Sequence, residues 1–255
     1  MKLRTLAILI CVLILGSNAR AQTLRVAAAA DLQFAMSDLA GQYEKKTGIK
    51  PEISYGSSGN FRAQIANGAP FDLFFSADAM YPEQLVAAGV ADAQSLVVYG
   101  QGHLVLWAPA GANLQLVQKG FAALKDPSVV KIAIANPEHA PYGRAAVAAL
   151  QKAGLYQELK PKLVLGENIS QAAQFAQSGN AQVGILALSL TFADSMKGGE
   201  RWDIPADYYP PILQKAVIVS ASQNKSVAKG FLDFVLSDEG RRVLAKYGLT
   251  PPERK

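Results

Sequence analysis

The sequence predicts an α/β protein built on mainly parallel sheets. Three observations lead there. Short apolar runs alternate with segments of helical period almost end to end, glycine follows most of the helical segments, and hydrophobic residues make up 50% of the chain with no repeat or low-complexity linker. The run 24–29 is the first strand. Residues 32–46 carry Leu32, Met36, Leu39 and Tyr43 on one helical stripe, and Gly48 is placed to end that helix in a left-handed cap. A strand at 53–55 follows, then a helix at 60–67 stopping at Gly68, a strand at 72–76, and a helix at 82–88 stopping at Gly89 with Pro82 at its first position. Strands come at 96–99 and 103–108 before Pro109-Ala110-Gly111 breaks the chain. Next are a strand at 131–135, a helix at 142–153 ahead of Gly154, a strand at 162–165, a helix at 170–178 ahead of Gly179, and a strand at 183–188. A late strand at 213–220 and helices across 227–247 close the chain. Apolar and aromatic residues such as Phe71, Phe74, Phe75 and Trp107 are expected in the core.

Ahead of these elements, Lys2 and Arg4 precede an apolar run over 6–15 and then Ala19-Arg20-Ala21, the pattern of a secretory signal peptide cleaved after Ala21. The run is about half of the ~20 residues that a membrane-spanning helix needs. A lipid anchor would need cysteine at the cleavage point, whereas Cys11 lies inside the apolar run behind Leu9 and Ile10. The mature chain is thus expected free in the periplasm, with no disulfide, its stability resting on burial. The 255 residues less these 21 leave 234, enough for one large core or two modest ones. The formal net charge of +5 falls to +2 once Lys2, Arg4 and Arg20 leave with the leader. The remaining cations stand scattered beside acids, as in Glu44-Lys45-Lys46 and Glu200-Arg201, which argues against nucleic acid as a partner.

Chemistry is concentrated where predicted strands hand over to helices. Four such junctions consist of small or polar residues: Asp31 after 27–30, Gly56-Ser57-Ser58-Gly59, Ala140-Pro141-Tyr142-Gly143, and Asn168-Ile169-Ser170. A helix start has backbone N–H groups without partners and partial positive charge, so it holds an anion without a cationic side chain. Taken singly, Asp31, Ser57, Ser58 and Ser170 read as helix N-caps. Taken together, at the strand ends where open α/β sheets bind ligands, the four junctions outline one anion pocket.

The chain resembles the molybdate-binding periplasmic proteins, the receptor components of molybdate ABC transporters. The stretches that carry the resemblance are 28–32, Gly56-Ser57-Ser58-Gly59, 68–78 (GAPFDLFFSAD) and 136–143 (NPEHAPYG), within a match over essentially the whole mature chain. It implies a two-lobed binding protein of type II-like architecture, each lobe a mainly parallel sheet flanked by helices, with the ligand cleft between them. The expected division is 22–104 for the first part of lobe 1, 105–212 for lobe 2 and 213–255 for the C-terminal part of lobe 1, with crossing strands near 103–108 and 213–220. It further implies capture of molybdate or tungstate by hinge closure and delivery to the membrane permease of an ABC transporter, by a protein that is not an enzyme and needs no cofactor; a receptor that must close and dock is expected to be a monomer. The residues that match the family's oxyanion donors are Asp31, Ser58, Tyr142 and Ile169, with hydroxyl and N–H from Ser58 and mainly N–H from Tyr142 and Ile169.

Two departures from the family stand out: Asp31 where many relatives have serine, and Ala187 where some have a tyrosine hydroxyl, a loss that Tyr142 would compensate. A carboxylate facing a dianion repels it, so the Asp31 side chain is expected to turn away and cap the helix at Leu32 while its N–H faces the ligand. The rival reading has Asp31 accept the hydroxyl of a protonated oxyanion such as hydrogen phosphate, and sulfate is another alternative cargo. A ferric-ion receptor gripping metal through Tyr208 and Tyr209 is a further alternative, against which the pair reads as a turn before Pro210-Pro211. A hydrolase is disfavoured because Asn60 breaks G-x-S-x-G, and His103 and His139 read as structural or solvated.

Overall fold

The computed structural model describes residues 23–251, so the leader and its cleavage point lie outside the described residues. The first strands and helices are β1 (Leu24–Ala29), α1 (Gln33–Thr47), β2 (Pro51–Gly56), α2 (Ser58–Ala66), β3 (Leu73–Ser76), α3 (Met80–Ala87) and β4 (Val97–Gly102). After β5 (Leu104–Ala108) come the short α4 (Leu116–Lys119), β6 (Ile132–Ala135), α5 (Pro141–Lys152), the short α6 (Tyr156–Leu159), β7 (Leu163–Gly166), α7 (Ile169–Gln177), β8 (Val183–Ala187) and β9 (Glu200–Asp203). β10 (Ile212–Ile218), α8 (Lys225–Leu236) and α9 (Asp238–Lys246) complete the chain. Among the described residues no helix is long and apolar enough to cross a membrane.

The strands form two five-stranded sheets, ordered β2-β1-β3-β10-β4 and β7-β6-β8-β5-β9. In each, four strands run in one direction and one runs against them: β1 pairs parallel with β2 and β3, and β6 with β7 and β8, while β10 pairs antiparallel with β3 and β4, and β5 with β8 and β9. The sheets are therefore mixed, because β5 and β10, the first strand after each crossing, run against the other four strands of their sheets. The chain passes from the first sheet to the second between β4 and β5, at His103, and returns between β9 and β10, over residues 204–211.

Alternation along β1 places its residues on two covered faces. Val26 and Ala28 pack with Met36 and Leu39 of α1 and with Phe231, Val235 and Leu244 of α8 and α9. Ala27 packs on the other face with Phe61 and Ile65 of α2 and Leu85 of α3. Tyr43 of α1 meets Phe231 edge-on at 5.1 Å between ring centroids. The second sheet has its own core, including Val105, Ile134, Ile185, Ala146 and Ala172, and Trp107 is buried there as Phe74 and Phe75 are in the first lobe.

Among the details that differ from the sequence reading, three bear on the junctions and the sheets. Pro82 is the third residue of α3. The helix starts earlier because Asp78 accepts the Tyr81 N–H at 3.1 Å, and proline is tolerated within a first turn whose N–H groups lack partners. β9 was not expected, since Glu-Arg-Trp-Asp lacks an apolar run; it lies at the edge of its sheet, where polar side chains reach solvent. Finally, the first junction opens with a 3-10 turn, Ala30–Leu32, ahead of α1.

Candidate functional site

All four junctions come together. A cavity between the lobes is lined from the first lobe by Ala29, Ala30, Asp31, Gly56, Ser57, Ser58 and Ala77, and from the second by Ala140, Pro141, Tyr142, Asn168 and Ile169. None of these is Lys, Arg or His. The four sequence-predicted residues Asp31, Ser58, Tyr142 and Ile169 are all among them and all nearly inaccessible to solvent. The open space is about 10 Å³, room for about one water. Neither Ala187, the last residue of β8, nor the pair Tyr208 and Tyr209 lines it.

Three of the wall residues stand at helix starts. Ser58, Tyr142 and Ile169 stand in the first turns of α2, α5 and α7, where N–H groups have no intrahelical acceptor. Proline at the first position of α5 removes one N–H beside the site and sets the helix direction. Ser58 Oγ accepts the Ala77 N–H at 3.0 Å, which fixes the oxygen and leaves the hydroxyl hydrogen to donate elsewhere. The capping roles fall differently from the sequence reading. Asn168 caps α7 by accepting the Gln171 N–H at 3.0 Å. Ser57 and Ser170 instead reach across the cleft: Ser57 Oγ donates to the His139 carbonyl at 2.6 Å, and Ser170 Oγ to Gln33 Oε1 at 3.0 Å.

Asp31 contradicts its expected placement. Its side chain bonds Tyr142 and Gln214 and does not cap α1. It is 1% exposed, and Oδ2 accepts two bonds, from the Tyr142 hydroxyl at 3.1 Å and from Gln214 Nε2 at 2.6 Å, while Oδ1 has no partner. The carboxylate lies against Tyr142 of α5 and Gln214 of β10 rather than on the helix end, so the Tyr142 hydroxyl is occupied by Asp31. Burial pushes the Asp31 carboxyl up to about 6, against the lowering effect of the Gln214 and Tyr142 bonds. Burial also drives the Tyr142 hydroxyl well above its ordinary range, with the Asp31 charge adding to it.

Sequence reasoning missed Gln214. Its sequence signal is the place of Gln214 two residues from Ile212 and from Ala216, on the face of β10 that the structure buries, while Leu213 on the other face is exposed. The cluster rests on Gly102 at the end of β4: a Cβ there would lie 2.1 Å from the Tyr142 hydroxyl and 2.9 Å from Gln214 Nε2.

Around the mouth, further contacts join the lobes. Gly59 N–H donates to the His139 carbonyl at 2.9 Å, Asn60 donates to Glu167, and Arg144 pairs with Asp78 and donates to the Tyr81 hydroxyl at 3.0 Å. His139 thus serves as a cross-lobe contact, and His103 bonds Thr250 at 2.7 Å. The Tyr209 hydroxyl accepts the Leu104 N–H at 3.0 Å beside the crossing, and Tyr208 packs on Phe121.

Residues 24–250 match the family model described as bacterial extracellular solute-binding protein. The molybdate-binding protein ModA of Azotobacter vinelandii is 41% identical over 236 residues, covering 92% of this chain and 92% of its own. ModA of Rhodobacter capsulatus is 40% identical over 222 residues, covering 87% of this chain and 86% of its own. The solved structure of the Azotobacter vinelandii periplasmic molybdate-binding protein aligns with a TM-score of 0.85 at 36% identity, over 90% of this chain and all of that one.

Proposed function

The chain belongs to the bacterial extracellular solute-binding protein family, and from that premise we propose that it captures molybdate, with tungstate as its analogue, between two lobes in the periplasm and delivers it to the permease of an ABC transporter. The observation that carries this reading is a buried cavity at three helix N-termini with no cationic side chain in its wall. Such a wall suits a small anion that is all acceptor, whose charge is met by N–H and hydroxyl dipoles. Asp31, Ser58, Tyr142 and Ile169 are the proposed contacts. Ser58 gives hydroxyl and N–H, Tyr142 and Ile169 give N–H, and no bond of the ion is made or broken.

Capture proceeds by closure: donors split between two lobes meet the ion together only when the lobes approach, so the ion favours the closed form. The proposed lobe division is 22–104 with 213–255 against 105–212, acting as a monomer after cleavage at Ala21. Selection against sulfate, of equal charge, then rests on cavity size. Calorimetric titration tests the proposal: tight binding of molybdate and tungstate, weak binding of sulfate and none of phosphate are expected. A preference for sulfate or phosphate, or no oxyanion binding, overturns it.

A further inference from the structure

The wall of this cavity contains one feature at odds with a dianion. Asp31 contributes a carboxylate with no cation among its hydrogen-bond partners. The groups around it are neutral or acidic. Tyr142 comes from α5, Gln214 from β10 and Tyr99 from β4, and Ser189, in the turn after β8, donates its hydroxyl to the Asp31 carbonyl at 2.7 Å. From α1 and α7 the neutral Gln33 and Ser170 face the turn. Arg144 lies on α5 too, but it is bound to Asp78.

An ionised Asp31 would oppose every approaching dianion. A protonated Asp31 removes that repulsion and adds a donor, and the bonding pattern says where the proton goes: Oδ2 already accepts two hydrogens, whereas Oδ1 is buried and unpartnered. We propose that binding of the oxyanion is coupled to uptake of one proton, which passes from solvent to Oδ1 of Asp31 and is held there as a hydrogen-bond donor in the closed site. Tyr142 and Gln214 act as positioning residues that hold Oδ2 and so keep Oδ1 as the oxygen that changes state. The inference rests on reading the chain as an oxyanion receptor. Its support beyond geometry is that burial already brings the carboxyl to about 6, within reach of protonation at neutral pH once a second negative charge arrives.

The test is calorimetric titration of the full mature protein with sodium molybdate at pH 7.5, in two buffers of different ionisation enthalpy, then across pH 6.5 to 8.5. The expected result is uptake of about one proton per ion and an affinity that falls about tenfold per pH unit at the alkaline end. Asp31→Asn, of the same shape and without a titrating group, is expected to bind with no proton uptake and with affinity flat in pH. Binding by the wild type with no proton uptake overturns the inference and leaves the receptor reading standing. No molybdate binding by the wild type overturns the receptor reading itself. Uptake that persists in Asp31→Asn assigns the proton to another group and overturns the inference. Tight phosphate binding that Asp31→Asn abolishes puts the proton on the ligand and overturns it as well. Should the variant not fold, a wild-type proton count near zero in the two buffers still overturns the inference.

Discussion

The two lobes build their halves of the site from equivalent positions and put different chemistry there. In each sheet the central parallel strand and its outer parallel neighbour, β1 and β2 or β6 and β7, end at the cleft and hand over to helical turns. In the first lobe those ends bear Asp31 and Ser58, so it offers side chains: a carboxylate, and a hydroxyl whose oxygen is fixed by Ala77. In the second they bear Tyr142 and Ile169, so it offers backbone N–H groups, and its one hydroxyl turns to Asp31 of the other lobe. In the proposed site, backbone donors come with the topology, while the side chains of the first lobe adjust charge and fit.

A glycine follows the site residue by one position in both lobes, and the two face different obstacles. A Cβ on Gly143 would lie 2.2 Å from the Ala135 carbonyl oxygen, within its own lobe. A Cβ on Gly59 would lie 2.7 Å from the His139 carbonyl oxygen, across the cleft, and as near the Tyr81 hydroxyl. Gly143→Ala is therefore expected to cost the fold about 3 kcal/mol, read as a lower denaturant midpoint without ligand. Gly59→Ala is expected to leave that midpoint within about 1 kcal/mol and to weaken molybdate binding by about 1 to 3 kcal/mol, by opposing closure. Equal losses of stability from both would erase the distinction between the lobes.

The second expectation separates Asp31 from the rest of the wall. Its carboxyl titrates at about 6 in the folded protein against 3.8 as the ordinary value, so the folded chain holds this proton more tightly than the unfolded chain. The resulting contribution is full below about pH 4 and is lost as pH rises through about 6. Asp31→Asn removes the dependence, and at pH 7.5 it is expected to be more stable than the wild type by up to about 2 to 3 kcal/mol. Denaturant titrations at pH 4.5 and 7.5 check both the sign and the window. A wild type that gains stability across this window relative to the variant would show the carboxyl to be paired more favourably than its two neutral partners allow.

Ser58→Ala removes the first lobe's hydroxyl donor and leaves the Ala77 N–H without its acceptor. The expected loss is about 1 to 3 kcal/mol in molybdate affinity. Tyr142→Phe keeps the N–H and removes only the hydroxyl bound to Asp31, so its effect on molybdate affinity at pH 6.5 is expected to be the smaller of the two. The reverse order would mean that the second lobe's side chain contacts the ion directly.

How far this contrast could be read from the chain differs between its two sides. The second lobe's contribution was legible, because Ala140-Pro141-Tyr142-Gly143 and Asn168-Ile169-Ser170 are helix starts by local rules, and a helix start exposes N–H groups wherever it sits. The positions in the first lobe were equally legible, but the direction of Asp31 was not. Capping is a local preference, and it lost to a tertiary contact with Tyr142 and Gln214, residues 111 and 183 positions away. The same limit hid the bonds of Ser57 and Ser170 across the cleft. Gln214 could have been found from alternation, since it stands two residues from both Ile212 and Ala216 and so shares their face of the strand. Edge strand β9 could not, since an edge tolerates the polar residues that erase the periodic signal.

The smallest effect is expected at the mouth. Glu167 accepts from Asn60 and lies 3.8 Å from His139 Nε2, but its side chain is 59% exposed, so water competes for every bond it makes. Contacts of this kind are worth about 0 to 1 kcal/mol and fade with salt. Glu167→Gln keeps the size and an acceptor and removes only the charge, so molybdate affinity is expected to change by less than about 0.5 kcal/mol, and by less still at high ionic strength. Comparison with Ser58→Ala in the same titration locates what drives closure. If the mouth variant costs more than the cavity variant, the lobes are held together by their rims and the ion merely occupies the space left. With the expected order, the dipoles around the ion draw the lobes together, and the rim contacts follow.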